Sequence, residues 1–260
     1  MTRDFSIKAY VELLSEIGRT GRKVFTLAEY FERVQTPDAY FVLRHDVDRR
    51  PGRALRMALA ESSCGVRSTY YFRATPRVFK TGLVKRIASM GHEIGYHYEV
   101  LDKAGGNIPR ARRLFTEELA RMRSVADVKT ASMHGNPLSP WDNRDFWRSH
   151  RPAEFGLSGE AYLGMDVGDL VYVTDTGGGW NRIHDNVFDR LPSIRMPAFR
   201  TTRELMQALG KGGLRKVYLQ VHPNRWTDGL LEWAAQRTED CLLNGLKRVL
   251  KRRRRRSPDR

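Results

Sequence analysis

An α/β fold on a parallel sheet is predicted by three observations. Short apolar or aromatic runs alternate with amphipathic helical segments from about residue 39 to residue 225. Several of those runs end in the same kind of side chain, an Asp, Glu or His, as happens when parallel strands all deliver their carboxyl ends to one site. The length, 260 residues, suits one α/β barrel, which typically takes about 250.

The spacing predicts an opening helix in which Ile7, Tyr10, Val11, Leu14 and Ile17 share a face, stopped by Gly18 and Gly21. Thr26 and Glu29 have capping-box spacing and start a short helix through Val34. Pro37 and Asp38 then break the chain, so residues 1–38 read as an N-terminal helical extension. The first strand is expected over Ala39 to Asp46. Pro51 suits the first turn of a helix carrying Ala54, Leu55, Ala58 and Leu59, which stops near Gly65. A second strand is expected over Arg67 to Arg73, a helix through Leu83, Val84, Ile87 and Met90, and a third strand over His92 to His97. A helix from Pro109 to Arg123 and a strand from Val128 to His134 continue the pattern. Between Gly135 and Arg200 the periodicity fades into Gly, Pro, Asp, Asn and Trp, with strands near Phe155 to Leu157 and Leu170 to Thr174. Loops of this length in a compact domain usually build a site. A helix near Thr202 to Leu209, a strand from Lys216 to His222 and a final helix close the barrel region, 39–246. That last helix is expected to turn Leu231, Ala234, Ala235, Leu242, Leu246 and Val249 toward the core.

The net charge is +16 and the hydrophobic fraction 40%. About half the charge excess lies in 247–260, where nine Lys and Arg face one Asp. So dense a run of like charge is expected to be a solvated, disordered tail that touches anionic surfaces weakly, without specific nucleic-acid binding. No apolar run approaches the roughly 20 residues of a membrane span. The first residues, Met1 to Phe5, lack a secretory pattern. Cys64 and Cys241 stand far apart with no metal-type spacing. A cytoplasmic protein with reduced cysteines is expected; the sequence is silent on oligomeric state.

The candidate site consists of Asp46 and Asp48, His97 and Glu99, His134, Asp175 and His222, each at or just beyond the end of an expected strand. Any one of them has an ordinary explanation, and Asp48 ahead of Pro51 has the look of a helix cap. Their recurrence at one end of successive parallel strands does not. His45 and His92 are expected to be structural, because neighbours alternate across a strand and these point away from Asp46 and His97. Aromatic residues near the site, Tyr96, Tyr98, Trp141, Trp180 and Trp226, are candidates for a sugar platform. Arg73 and Arg225 are candidates for a substrate anion.

The order of motifs resembles the polysaccharide deacetylase (NodB-homology, family 4 carbohydrate esterase) group. Gly91-His92-Glu93-Ile94-Gly95-Tyr96-His97 is similar to that family's Gly-His-Glu-Ile-Gly-Asn-His, Arg44-His45-Asp46-Val47-Asp48 to its Thr-Phe-Asp-Asp-Gly, and Leu219-Gln220-Val221-His222 to its closing Leu-x-His. The resemblance implies a deformed (β/α)7-type barrel and a hydrolase of C–N amide bonds. It implies N-deacetylation of an amino sugar or glycoconjugate in polysaccharide biosynthesis, with a divalent metal, zinc first. Carried over, Asp46 is the general base, His222 the general acid, and Asp48 and His97 are metal ligands. The family's second histidine is missing, since Leu101 stands four residues after His97. His134 is the candidate third ligand and Glu99 the second choice. Tyr98, Glu99, Asp175, Trp180, Arg225 and Trp226 are the candidate substrate contacts. Two other readings stay open: a different amide or cyclic-amide hydrolase on this fold, possibly without metal, and a non-catalytic carbohydrate-binding barrel.

Overall fold

All the strands belong to one parallel sheet. The computed structural model describes residues 3–35, 37–136, 139–181 and 194–256, without the side chains of 243, 244 and 246–256. The strands are β1 (Lys23–Phe25), β2 (Tyr40–Val47), β3 (Thr69–Arg73), β4 (Glu93–Tyr98), β5 (Thr130–Met133), β6 (Gly159–Glu160), β7 (Leu170–Thr174) and β8 (Lys216–Val221). Their spatial order is β6-β5-β4-β3-β2-β8-β7, with β1 beside the first half of β2. Every pairing between these strands is parallel. Among the described residues β6 and β7, at the two ends of the path, are not paired, so this is the expected α/β barrel in an unclosed, deformed form.

The helices are α1 (Ile7–Arg19), α2 (Leu27–Glu32), α3 (Pro51–Ser63), α4 (Thr81–Ser89), α5 (Val100–Ala104), α6 (Ile108–Arg123), α7 (Thr202–Gly210) and α8 (Leu230–Arg256). Side chains pack on both faces of the sheet, so β2 is buried at every position. Its side chains divide by period 2. Tyr40 and Val42 enter the core inside the sheet, on the face that also carries Tyr71 and Tyr218. Phe41 and Leu43 enter a second core outside it, with Tyr10, Leu13, Leu205, Trp180 and Trp226. Arg44 and Asp46 therefore face inward and His45 outward.

Four expectations need correction. Residues 1–38 are not a mere extension: β1 joins the sheet, α1 packs in the outer core, and Thr26 makes the capping box with Glu29. The stretch Phe155 to Leu157 is not a strand. Pro152 opens a 3-10 turn ending at Phe155, and Gly156 (φ 63°) turns the chain before the two-residue β6. The backbone of the Arg-rich segment is helical as far as Arg256, an extension of α8. The apolar face of α8 does not pack inward: Leu231 is 85% and Leu242 70% exposed, because the helix meets the body through Gln236, Arg237, Glu239 and Asp240 instead.

Candidate active site

Parallel pairing puts the carboxyl ends of β2, β4, β5, β7 and β8 along one rim. That rim brings Asp48, His97, His134 and His222 together. His97 Nε2 lies 3.2 Å and His134 Nε2 3.6 Å from Asp48 Oδ1, and His222 Nε2 lies 4.0 Å from Asp48 Oδ2. Asp48 is not the cap of α3. That position is taken by Arg50 in the left-handed region (φ 52°), with no side-chain cap bond, so the chain turns away sharply and leaves the Asp48 side chain in the site.

The outer nitrogens of the two histidines define what their inner nitrogens can do. His97 Nδ1 is 3.0 Å from the Ser132 carbonyl oxygen and His134 Nδ1 is 3.2 Å from Glu99 Oε2. The Ser132 carbonyl is an acceptor, so His97 Nδ1 donates to it and the His97 Nε2 faces Asp48; Glu99 stands beside His134 Nδ1 without an aligned hydrogen bond, and the His134 Nε2 also faces Asp48. Asp48 Oδ1 is itself buried without an aligned hydrogen-bond donor. Two ring nitrogens and a carboxylate oxygen facing one another call for a proton on the ring nitrogens or a cation between them. Donors bound to one zinc at about 2.0–2.2 Å stand roughly 3 to 3.5 Å apart, which the Asp48 spacings approach. Among the described residues no three such side chains already enclose a metal-sized position. The donor set nonetheless fits a divalent metal held from one open side, where Asp48 (27% exposed) and His134 (17%) face solvent. Burial alone would raise the Asp48 carboxyl, but the neighbouring His97, His134 and His222 rings outweigh it and hold its pKa well below the usual range.

Glu99, expected among the substrate contacts, lies against His134. Burial pushes its carboxyl up, and His134, Arg73 and Lys103 override that and lower it. Arg73 Nη2 is 2.7 Å and Lys103 Nζ 3.2 Å from it, while Arg73 Nη1 donates to the Asp48 carbonyl. A carboxylate behind a metal-ligating imidazole is a recurrent way to fix its tautomer and orientation.

Asp46 is buried on the inner face and gripped by Arg44, whose Nε and Nη2 donate to Oδ1 (2.7 Å) and Oδ2 (2.6 Å), while Gln220 Nε2 donates to Oδ2 (2.6 Å). Burial works to raise its pKa, and Arg44 first, then His97 and His222, bring it below normal. Asp46 Oδ2 is 3.8 Å from His97 Nε2, so this carboxylate borders the metal candidate without joining it. Arg44 was absent from the sequence-based site. Its signal was available: an arginine in a fully buried strand needs a counter-charge, and Asp46 two residues on shares its face.

His222 is one half of a buried pair. Its Nδ1 is 2.6 Å from Asp175 Oδ1, and Asp175 also accepts from the His222 backbone N–H and from Trp226 Nε1 (2.9 Å). Burial and Arg225 act to lower the His222 pKa, but Asp175 and Asp48 prevail and raise it. Asp175, expected to touch substrate, is instead buried against the His222 ring. Four other expected contacts are not at an open surface. Tyr98 is buried, with its hydroxyl between Glu160 and Trp147. Trp180 and Trp226 are buried against Phe5 and, for Trp226, Tyr10. Arg225 is buried too, between Asp175 and Asp240. Leu101, where the second histidine was missed, is a core residue of α5.

No family model and no curated protein matches this chain. Among solved structures it is similar to a family 4 carbohydrate esterase from Bacillus anthracis, at 15% identity over 94% of this chain and 89% of that one, TM-score 0.39. It is also similar to a family 4 carbohydrate esterase from Streptomyces lividans in complex with acetate, at 16% identity over 82% and 91%, TM-score 0.39. A carbohydrate esterase domain of a xylanase from a Trinervitermes trinervoides hindgut metagenome gives 12% identity over 81% and 84%, TM-score 0.40. At TM-scores of this size the superposition is loose, and the chemistry of the site has to be read from its own side chains.

Proposed function

We propose that this chain is a divergent polysaccharide deacetylase of the family 4 carbohydrate esterase kind, which hydrolyses the C–N amide of an N-acetyl amino sugar or glycoconjugate in polysaccharide biosynthesis. The observation that carries the reading is the meeting of Asp48, His97 and His134 on one side with the Asp175–His222 pair on the other, across 4.0 Å between His222 Nε2 and Asp48 Oδ2. A divalent metal, zinc by donor type, would be held by Asp48, His97 and His134, and would supply Lewis-acid polarisation of an acyl carbonyl and acidification of water.

The remaining work falls to this chain's own groups. Arg44 and Gln220 keep Asp46 ionised and take three of its roughly four acceptor positions, leaving one to receive a proton from the attacking water. His222, protonated through the influence of Asp175, gives its Nε2 proton to the amine nitrogen as the C–N bond breaks, so acetate and a free amine leave. Glu99 and the Ser132 carbonyl lie behind the two imidazoles, whose Nε2 atoms face inward.

The test is metal content together with acetate release from N-acetylated chito-oligosaccharides, for wild type, His97→Ala, His134→Ala and His222→Ala. The wild type is expected to hold stoichiometric divalent metal, and both ligand variants to lose it. His222→Ala should keep the metal and lose about 10²- to 10⁴-fold in rate. Full metal occupancy in His134→Ala would remove it from the ligand set, and a metal-free wild type that still releases acetate would sink the metal reading.

A further inference from the structure

The closing helix α8 is built inside out for a helix of a monomer. Its body-facing side is polar: Arg50 Nη1 donates to Gln236 Oε1 (2.8 Å), Arg50 Nη2 meets Glu239 (2.8 Å), Arg237 donates to the Gly178 carbonyl, and Trp233 Nε1 donates to the Asp4 carbonyl (2.7 Å). Its outward side carries an apolar stripe. Leu231 (85% exposed) and Leu242 (70%) lie on one line with the exposed Ala235, with Thr238 between them. At about 100° per residue, positions 231, 235 and 242 fall within a narrow stripe opposite 236 and 240. In the sequence the same period continues at Leu246 and Val249, and the helix then runs into the Arg-rich segment, nine Lys and Arg against one Asp over 247–260.

A second copy of this chain is a poor occupant for such a face, since each copy carries net charge +16 and association brings like charge together. A stripe of leucines beside a dense cationic segment has the two features of a helix that lies in a lipid interface: apolar burial and attraction to anionic headgroups. No described helix is long and apolar enough to cross a membrane, so the contact is with the surface. We propose that α8 docks this protein on an anionic lipid bilayer, with Leu231, Ala235 and Leu242 entering the headgroup boundary and the 247–256 segment meeting the negative lipids. Arg50 and Gly178, which α8 grips, lie two and three residues beyond Asp48 and Asp175. The docked surface is thus at the rim that carries the candidate site, whatever reaction that site performs.

The experiment is co-sedimentation of the full chain with vesicles of phosphatidylcholine alone and of phosphatidylcholine with phosphatidylglycerol. Wild type should pellet with the anionic vesicles, weakly or not at all with the neutral ones, and less as salt rises. Leu231→Glu with Leu242→Glu should bind the anionic vesicles at least about tenfold more weakly, since both buried side chains are lost and negative charge is added. The double Leu→Ala variant is read the same way should the glutamates disturb folding, which thermal melting reports. Failure of the wild type to bind overturns the proposal. So does equal binding by wild type and both variants, which marks a contact of charge alone. A wild-type dimer that the leucine variants convert to monomer overturns it in favour of a second copy on this face.

Discussion

Asp175 decides what His222 can do, because it is buried and bound to the far side of the ring. An imidazole in this place without Asp175 has only burial and Arg225 acting on it, and both lower its pKa. Asp175→Asn should therefore shift the alkaline limb of the acetate-release rate to lower pH, where less of the acid stays protonated, and reduce the rate at its optimum. An alkaline limb that stays put in this variant would show that His222 is not the acid. Glu99→Gln is the parallel case at His134, with a readout that does not depend on turnover: metal affinity should fall roughly 10- to 100-fold, measured by chelator competition. Unchanged affinity would reduce Glu99 to a partner of Arg73 and Lys103. At this scale the sequence was uneven. The positions of Asp48, His97, His134 and His222 followed from strand ends, but the roles of Asp175, Glu99 and Arg44 required distances, since a carboxylate that holds a histidine and one that holds a sugar look alike in a sequence.

Strand β4 shows how an element was legible and why its neighbours were not. Gly91 ends the preceding helical turn at φ 86°, where a side chain is strained, and Gly95 lets the Tyr71 ring cross β4. A Cβ on Gly95 would overlap the rigid Tyr71 ring, whose hydroxyl is tied to Thr130 Oγ1 at 2.8 Å. Gly95→Ala should cost about 1–3 kcal/mol through overpacking, seen as a lower unfolding midpoint in denaturant. A midpoint equal to wild type would mean that β4 and Tyr71 separate easily. The apolar runs of β2, β4, β7 and β8 were readable because a strand covered on both faces must be continuously apolar, apart from the residues it delivers to the rim. The same logic misled at α8. Periodicity reports that a helix has an apolar face and not which way that face turns, and here ion pairs from Arg49 and Arg50 to Glu239 claim the polar side for the body.

The molecule as a whole holds a second buried polar network on the outer side of the sheet, away from the site. Glu61 of α3 meets His45 of β2 (2.6 Å), Ser68 Oγ (2.7 Å), Tyr70 Oη of β3 (2.7 Å) and Tyr10 Oη of α1, with His92 3.6 Å away. It ties α1, α3 and three adjacent strand segments into one unit, so its loss is a loss of the global fold. Burial works to raise the Glu61 pKa, but His45, His92 and Tyr10 lower it to about 2. Because the folded pKa lies below the unfolded one, this stabilisation is present above roughly pH 4.5 and disappears as pH falls toward 2. The His92 pKa is also lowered, by burial, so its protonation as pH drops below its normal range opposes folding in the same direction. Glu93 and Glu160 run the other way. Burial raises both, so acid relieves the cost of keeping them ionised and they do not drive acid unfolding. Glu61→Gln should therefore destabilise the protein by about 3 kcal/mol or more at neutral pH, because the buried carboxylate to which Ser68, Tyr70 and Tyr10 donate is lost. It should also flatten the fall of stability below pH 4.5. Unfolding midpoints of wild type and variant from pH 7 to pH 2.5 check both. If the two curves stay parallel through that range, the acid sensitivity of this fold resides in the site carboxylates, Asp46, Asp48 and Glu99, and not in the network behind the sheet.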